Sequence, residues 1–323
     1  MIKTTAPILT KRIAYKPFEY PEFFDYYRLQ QQAHWLPTEV PMADDVADFN
    51  SKLTKAEKNL ITQILRFFTQ GDLEVMNNYN SNLIQYFPKP EIAMMLTAFA
   101  SIETVHVWAY SQLNDTLGLP EEDYTAFLDY KEMKDKYDYL HIYDFDSLDI
   151  AKLAKNLAVF GGFMEGMSLF SSFAILLNFP RRGLLKNVGQ IIAWSQIDER
   201  GHSDGICSLF KHLTKETGIL ETNPELKDEI YQACYDMVVL EDNFIDLCYE
   251  QGPVEGLTTD QLKQYIRYLA DDRLKALGLL PKFGIKANPL PWVTNMVYGK
   301  EFSNFFETRA TEYSKGSIQG DFF

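Results

Sequence analysis

Two pairs of Glu and His stand three residues apart, Glu103 and His106 in SIETVHVWAY and Glu199 and His202 in QIDERGHSD. On a helix that spacing puts the two side chains about 60° apart on one face, because 3.6 residues make a turn. Each pair can therefore close on one metal ion. Carboxylate oxygen and neutral imidazole nitrogen together suit iron or manganese, and bundles that join two such pairs with two further carboxylates hold two ions at once.

The further carboxylates interrupt apolar stripes. Ile61, Leu65 and Phe68 lead to Asp72 and on to Val75, while Ala158 and Gly162 lead to Glu165 and on to Leu169, Phe173 and Leu176. The Glu and His pairs lie on similar stripes, Met95 to Leu117 and Ile192 to Leu209. A charge on a core stripe is costly unless it is paired or bound to metal. Asp72, Glu103, His106, Glu165, Glu199 and His202 thus read as six ligands, their four carboxylates balancing two divalent cations while the imidazoles ligate neutral. Glu74 is the rival for the first position, but it lies about 200° around the helix from Asp72. Asp138 and His141 repeat the spacing in what reads as a polar loop and are assigned no metal. Tyr110, one turn after His106 on the same face, brings a phenol close to the ions.

Long helices are needed to carry these residues. Helical periodicity dominates and strand-like alternation is nearly absent, so the fold class expected is all-α. Helices are predicted over 23–32, 54–85, 90–117, 121–136, 147–178, 183–213, 224–250 and 259–279, with Thr54 and Glu57 as a capping box and Pro90 opening its helix. The longest span about 45 Å at 1.5 Å per residue, the scale of a large antiparallel bundle. No Ser/Gly linker or repeat divides the chain, which favours one helical domain over 1–300 and a separate tail over 301–323.

Composition excludes several functions. A net charge of −14 over 323 residues disfavours a nucleic-acid groove or an anionic membrane surface. The three cysteines form no CxxC, and with no signal-peptide pattern they point to the reducing cytoplasm. The apolar stretch 157–177 approaches membrane-spanning length but holds Glu165, and no similar second span is read, so a buried helix is expected. No phosphate-cradling Gly-rich loop is present either.

In HWLPTEV, NSKLTKAEKN, RFFTQGD, SIETVHVWAY, GGFMEGMSLF, QIDERGH and SNFFETRATEY the chain resembles the small, radical-generating subunit of class I ribonucleotide reductase, a ferritin-like di-metal carboxylate family. The order agrees, with 31 residues from Asp72 to Glu103 and 34 from Glu165 to Glu199. The resemblance implies a bundle with extra N- and C-terminal helices and a centre of two irons, or manganese in some members. That centre activates molecular oxygen and oxidises Tyr110 to a radical. It further implies radical transfer through Trp35, Asp198 and Tyr313 to a large subunit that reduces ribonucleotides to the deoxyribonucleotides of DNA replication. The tail ending Gly320-Asp321-Phe322-Phe323 would dock on that subunit, ten residues beyond Tyr313, and the small subunit would be a homodimer. Leu169, Phe173 and Ser195 would surround Tyr110, with Ser195 a polar departure. A stand-alone di-metal oxidase or desaturase and an iron-storage protein are the rivals; Tyr110, Trp35 and the tail favour the radical subunit.

Overall fold

A computed structural model describes residues 6–143 and 147–298. Tyr313 and the expected tail, 301–323, lie outside the described residues. Among the described residues twelve α-helices follow one another: α1 Pro21–Gln32, α2 Ala43–Ser51, α3 Lys55–Asn77, α4 Pro90–Leu117, α5 Lys131–His141, α6 Ile150–Leu157, α7 Phe170–Arg181, α8 Lys186–Thr217, α9 Ile219–Thr222, α10 Glu225–Cys248, α11 Thr259–Ala276 and α12 Pro291–Tyr298. Among the described residues the only β pairing is an isolated bridge between Val254 and Leu257.

Local chemistry sets the helix ends. Thr54 accepts from the Glu57 amide at 3.2 Å while the Glu57 carboxylate accepts from the Thr54 amide at 2.8 Å, satisfying two otherwise orphaned donors at the start of α3. Pro90 opens α4, and Gly118, with φ of 73°, closes it in a left-handed conformation that a side chain would resist.

Two stretches widen into π-helix: Asn78–Leu83 directly after α3, and Ala158–Ser168 between α6 and α7. The second packs against α8 and α11. There Gly166 permits the close approach, since a Cβ on it would sit 2.3 Å from Ser203 Oγ and 2.4 Å from Arg273 Cδ. At its end Ser168 and Ser171 donate to the buried Glu241 of α10, which also pairs with the buried Lys136 of α5. The ammonium of Lys136 lies over the neighbouring rings of Phe67 and Phe244, 4.5 Å from each centroid. The α3, α4, π-helical and α8 segments thereby enclose one continuous apolar core.

Several expectations need correction. The helix expected over 121–136 is replaced by 3-10 turns at Glu121–Tyr124 and Ala126–Leu128 before α5 begins. Tertiary pairing overrides the local pattern: Asp123 is buried against Arg66 of α3, and the Tyr124 hydroxyl lies 2.9 Å from Ser111 Oγ of α4. Asp138 and His141 consequently occupy the end of a helix rather than a loop, with His141 Nε2 3.5 Å from Glu74 Oε2. Helix α2 forms inside the N-terminal arm and α12 in the Pro-rich segment, neither of which the periodicity revealed. Pro180 does not end its helix but lies in the last turn of α7. Finally, 157–177 is not the sole apolar span. By length and composition both Pro90–Leu117 and Ile150–Arg181 could cross a membrane, and their most apolar windows are 61% and 100% buried inside the protein.

Candidate metal centre

Four segments converge on one buried cluster. Helix α3 supplies Asp72, α4 supplies Glu103 and His106, the longer π-helical segment supplies Glu165, and α8 supplies Glu199 and His202. None is more than 1% exposed.

Within the cluster Glu103 and Glu199 each face both imidazoles. Glu103 places Oε2 3.2 Å from His106 Nδ1 and Oε1 2.9 Å from His202 Nδ1. Glu199 places Oε1 3.1 Å from His106 Nδ1 and Oε2 3.8 Å from His202 Nδ1. Asp72 stands at the His106 end, with Oδ2 3.9 Å from Nδ1, and Glu165 at the His202 end, with Oε1 3.3 Å from Nδ1. The donors fall into two overlapping groups, Asp72, Glu103 and His106, and Glu103, Glu165, Glu199 and His202. Glu103 is common to both.

Orphaned atoms test whether cations fit. Asp72 Oδ2, Glu103 Oε1, both Glu199 oxygens and His202 Nδ1 are buried without a hydrogen bond of good geometry, although they crowd together. Buried polar groups are ordinarily satisfied, so converging unsatisfied oxygens and nitrogens call for a ligand that accepts lone pairs. Like charges strain the cluster without one. Burial and the charge of Glu103 push the Glu199 carboxyl up to about 8. Burial also raises Asp72 and Glu165. His202 rises to about 10 because the Glu103 and Glu165 carboxylates facing Nδ1 outweigh the effect of burial. Two divalent cations would cancel four carboxylates, and the mixture of oxygen and imidazole donors suits iron or manganese.

The outward nitrogens are also held. His106 Nε2 lies 3.2 Å from Asp198 Oδ2, which accepts from Trp35 Nε1 at 2.8 Å. The indole stacks on the His106 ring at 5.8 Å, and Trp194 packs against the indole at 5.3 Å. Gln30 of α1 donates to Asp198 Oδ1 at 2.9 Å, and its Oε1 lies 3.1 Å from His202 Nε2. Such outer partners fix ring orientation and leave Nδ1 for the metal.

Two tyrosines flank the cluster. Tyr110, 1% exposed, packs 4.8 Å from Phe68 and 6.3 Å from His106, with Phe173 edge-on to Phe68. Burial and the Asp72 charge raise its phenol well above the usual value, so it stays protonated. Ser195 lies near enough to oppose that rise, yet forms no hydrogen bond of good geometry. Leu169 is buried in the same core. At the opposite end the Tyr79 hydroxyl donates to Glu165 Oε1 at 2.6 Å.

Sequence reasoning missed Gln30 and Tyr79. Tyr79 carried a signal: it follows Asp72 by seven residues and so shares a helix face with a residue already marked as inward, whereas for Gln30 only the structure shows that Phe23, seven residues earlier, is buried.

Long helices that bring two Glu-x-x-His pairs and two further carboxylates into a dry core define a ferritin-like di-metal carboxylate protein. Residues 12–289 match the family model for "Ribonucleotide reductase, small chain". A probable ribonucleoside-diphosphate reductase small subunit of Invertebrate iridescent virus 3 is 41% identical over 329 residues, covering 97% of this chain and 87% of the relative. The chain belongs to the ribonucleotide reductase small-chain family, the oxidoreductase component that works with a large subunit. Among solved structures, the R2 subunit from Clostridium botulinum superposes with a TM-score of 0.82 at 22% identity, covering 88% of this chain and 91% of that one. The dimanganese(II) NrdF of Streptococcus sanguinis gives 0.78 at 22% identity, with 89% and 99% covered. Both likenesses bear on the fold.

Proposed function

We propose that this chain generates a tyrosyl radical at Tyr110 and passes it to the large subunit for reduction of ribonucleoside diphosphates. Asp72, Glu103, His106, Glu165, Glu199 and His202 would hold two ions, iron in the first instance and manganese as the alternative. When bound, those ions supply oxidising power from molecular oxygen. The observation that carries this reading is the pairing of Glu103 and Glu199, each facing both imidazoles, with Tyr110 packed beside His106.

The protein's own groups define the rest. Because burial keeps the Tyr110 phenol protonated, its oxidation must release a proton along with the electron. Phe68 and the surrounding core exclude water and reductants, which favours a long-lived radical. Trp35, Asp198 and His106 form a continuous line outward from the centre, and Tyr313 would extend it towards the large subunit. The tail 301–323 would dock on that subunit, while 1–300 forms one helical domain that pairs with a second copy in the cytoplasm. The nucleotide site and reducing thiols would belong to the large subunit: Cys207, Cys234 and Cys248 are all buried and free.

The test is reconstitution. The chain loaded with Fe(II) in oxygenated buffer should retain about two ions and support reduction of a ribonucleoside diphosphate only when the large subunit is added. Two bound ions with oxidation of a hydrophobic substrate and no reductase activity on mixing would instead support a stand-alone oxidase.

A further inference from the structure

The two ends of the cluster are built differently. At the His106 end Asp72 Oδ2 is buried with no donor, whereas at the His202 end Glu165 Oε1 receives the Tyr79 hydroxyl at 2.6 Å. That same oxygen is the one 3.3 Å from His202 Nδ1. We propose that Tyr79 is a positioning residue whose phenol holds the Glu165 carboxylate with Oε1 beside His202, setting the metal affinity of that subsite alone. The inference rests on the di-metal reading above.

Tyr79 is itself immobilised. It lies in the π-helical turn after α3, where the preceding Asn78 accepts from Asn82 Nδ2 at 3.0 Å and from the fully buried Asn156 Nδ2 at 2.7 Å. Its ring is 1% exposed and meets Phe99 and His202 edge-on, with centroids 6.0 and 6.2 Å apart. A buried donor whose ring is packed against Phe99 and His202 has little freedom to follow the carboxylate, so the carboxylate must follow the donor. Glu165 also lies on widened backbone, the segment Ala158–Ser168, where regular i to i+4 bonding does not fix the side chain's direction. The phenol proton occupies one lone pair of Oε1 and leaves the other to aim at a cation. Losing an outer partner of this kind typically costs about 10–100-fold in metal affinity.

Titrating the metal-free protein with Co(II), followed by its visible d–d absorption, reads both subsites without relying on activity. Tyr79→Phe removes one hydroxyl and keeps the ring. It should weaken one of the two equivalents by about 10–100-fold and alter that equivalent's band, leaving the other unchanged. Glu165→Asp, which keeps the charge but withdraws the carboxylate from the phenol, should weaken the same equivalent, and the double variant should lose no more than the larger single loss. Circular dichroism of each metal-free variant confirms folding; if Tyr79→Phe does not fold, Tyr79→Met, which also lacks the hydroxyl, takes its place, because Glu165→Asp alters a ligand directly and does not by itself report on the phenol. Unchanged binding of both equivalents, loss spread equally over both, or fully additive losses would overturn the proposal. A wild-type protein that binds no second Co(II) would instead remove the di-metal reading itself.

Discussion

Trp35 Nε1 donates to Asp198 Oδ2 at 2.8 Å, and that oxygen also lies 3.2 Å from His106 Nε2, so one carboxylate atom joins the indole to the imidazole. An amide keeps one oxygen that could accept from both, but it puts an NH2 donor where Asp198 Oδ1 accepts from Gln30 Nε2 at 2.9 Å, so it cannot hold all three donors. Asp198→Asn is therefore expected to keep about two bound ions while its reductase activity with the large subunit falls at least about tenfold. Metal analysis and an activity assay on the same preparation check this; full activity in the variant would exclude Asp198 from the transfer route.

Lys136 and Glu241 form a buried pair, 2% and 0% exposed at their side chains, that also anchors Ser168 and Ser171 at the end of the segment carrying Glu165. Removing one partner leaves the other charge stranded. Lys136→Met should destabilise the fold by about 3–5 kcal/mol, and adding Glu241→Gln should restore part of that loss. Chemical denaturation of the metal-free proteins measures both steps.

Glu57 links acid stability to helix α3. Burial raises its carboxyl, but the Thr54 amide and the Arg182 guanidinium, 2.6 Å away, more than offset that and hold it below the usual carboxylate value. A lowered value in the folded state contributes stability above the unfolded carboxylate's titration range, and that contribution disappears as pH falls through the folded value. Glu57→Gln should thus cost about 2 kcal/mol at neutral pH, with the gap to wild type closing below about pH 4. Denaturation midpoints across pH check the sign.

The tail supplies a separate test. Deleting 318–323 should abolish reductase activity of the mixed subunits and leave the Tyr110 radical intact, as read by spectroscopy and assay on one sample. Retained activity would show that docking uses another surface.

Much of the centre was legible because burial leaves a periodic trace. Asp72, Glu103, His106, Glu165, Glu199 and His202 each interrupt an apolar stripe, and the structure gathers all six into one cluster. The π-helical widening was not legible, since 158–168 carries an ordinary apolar pattern; only the structure shows the widened backbone, packed against α8, α10 and α11. The same holds for 121–128, where Asp123 is drawn to Arg66 and the local helix signal loses to a tertiary ion pair. Gln30 and Tyr79 escaped notice because a glutamine or tyrosine on a helix face is ordinary surface or packing until its partner is known, unlike a buried charge, and both partners lie far along the chain.

Electron paramagnetic resonance of the metal-free protein after Fe(II) and oxygen are added tests the central claim most directly. Wild type should develop a tyrosyl signal that is absent in Tyr110→Phe and present in Tyr79→Phe when Fe(II) is high enough to fill both subsites. A tyrosyl signal that survives in Tyr110→Phe, or wild-type protein that takes up two ions and oxygen yet forms no tyrosyl radical, would contradict it.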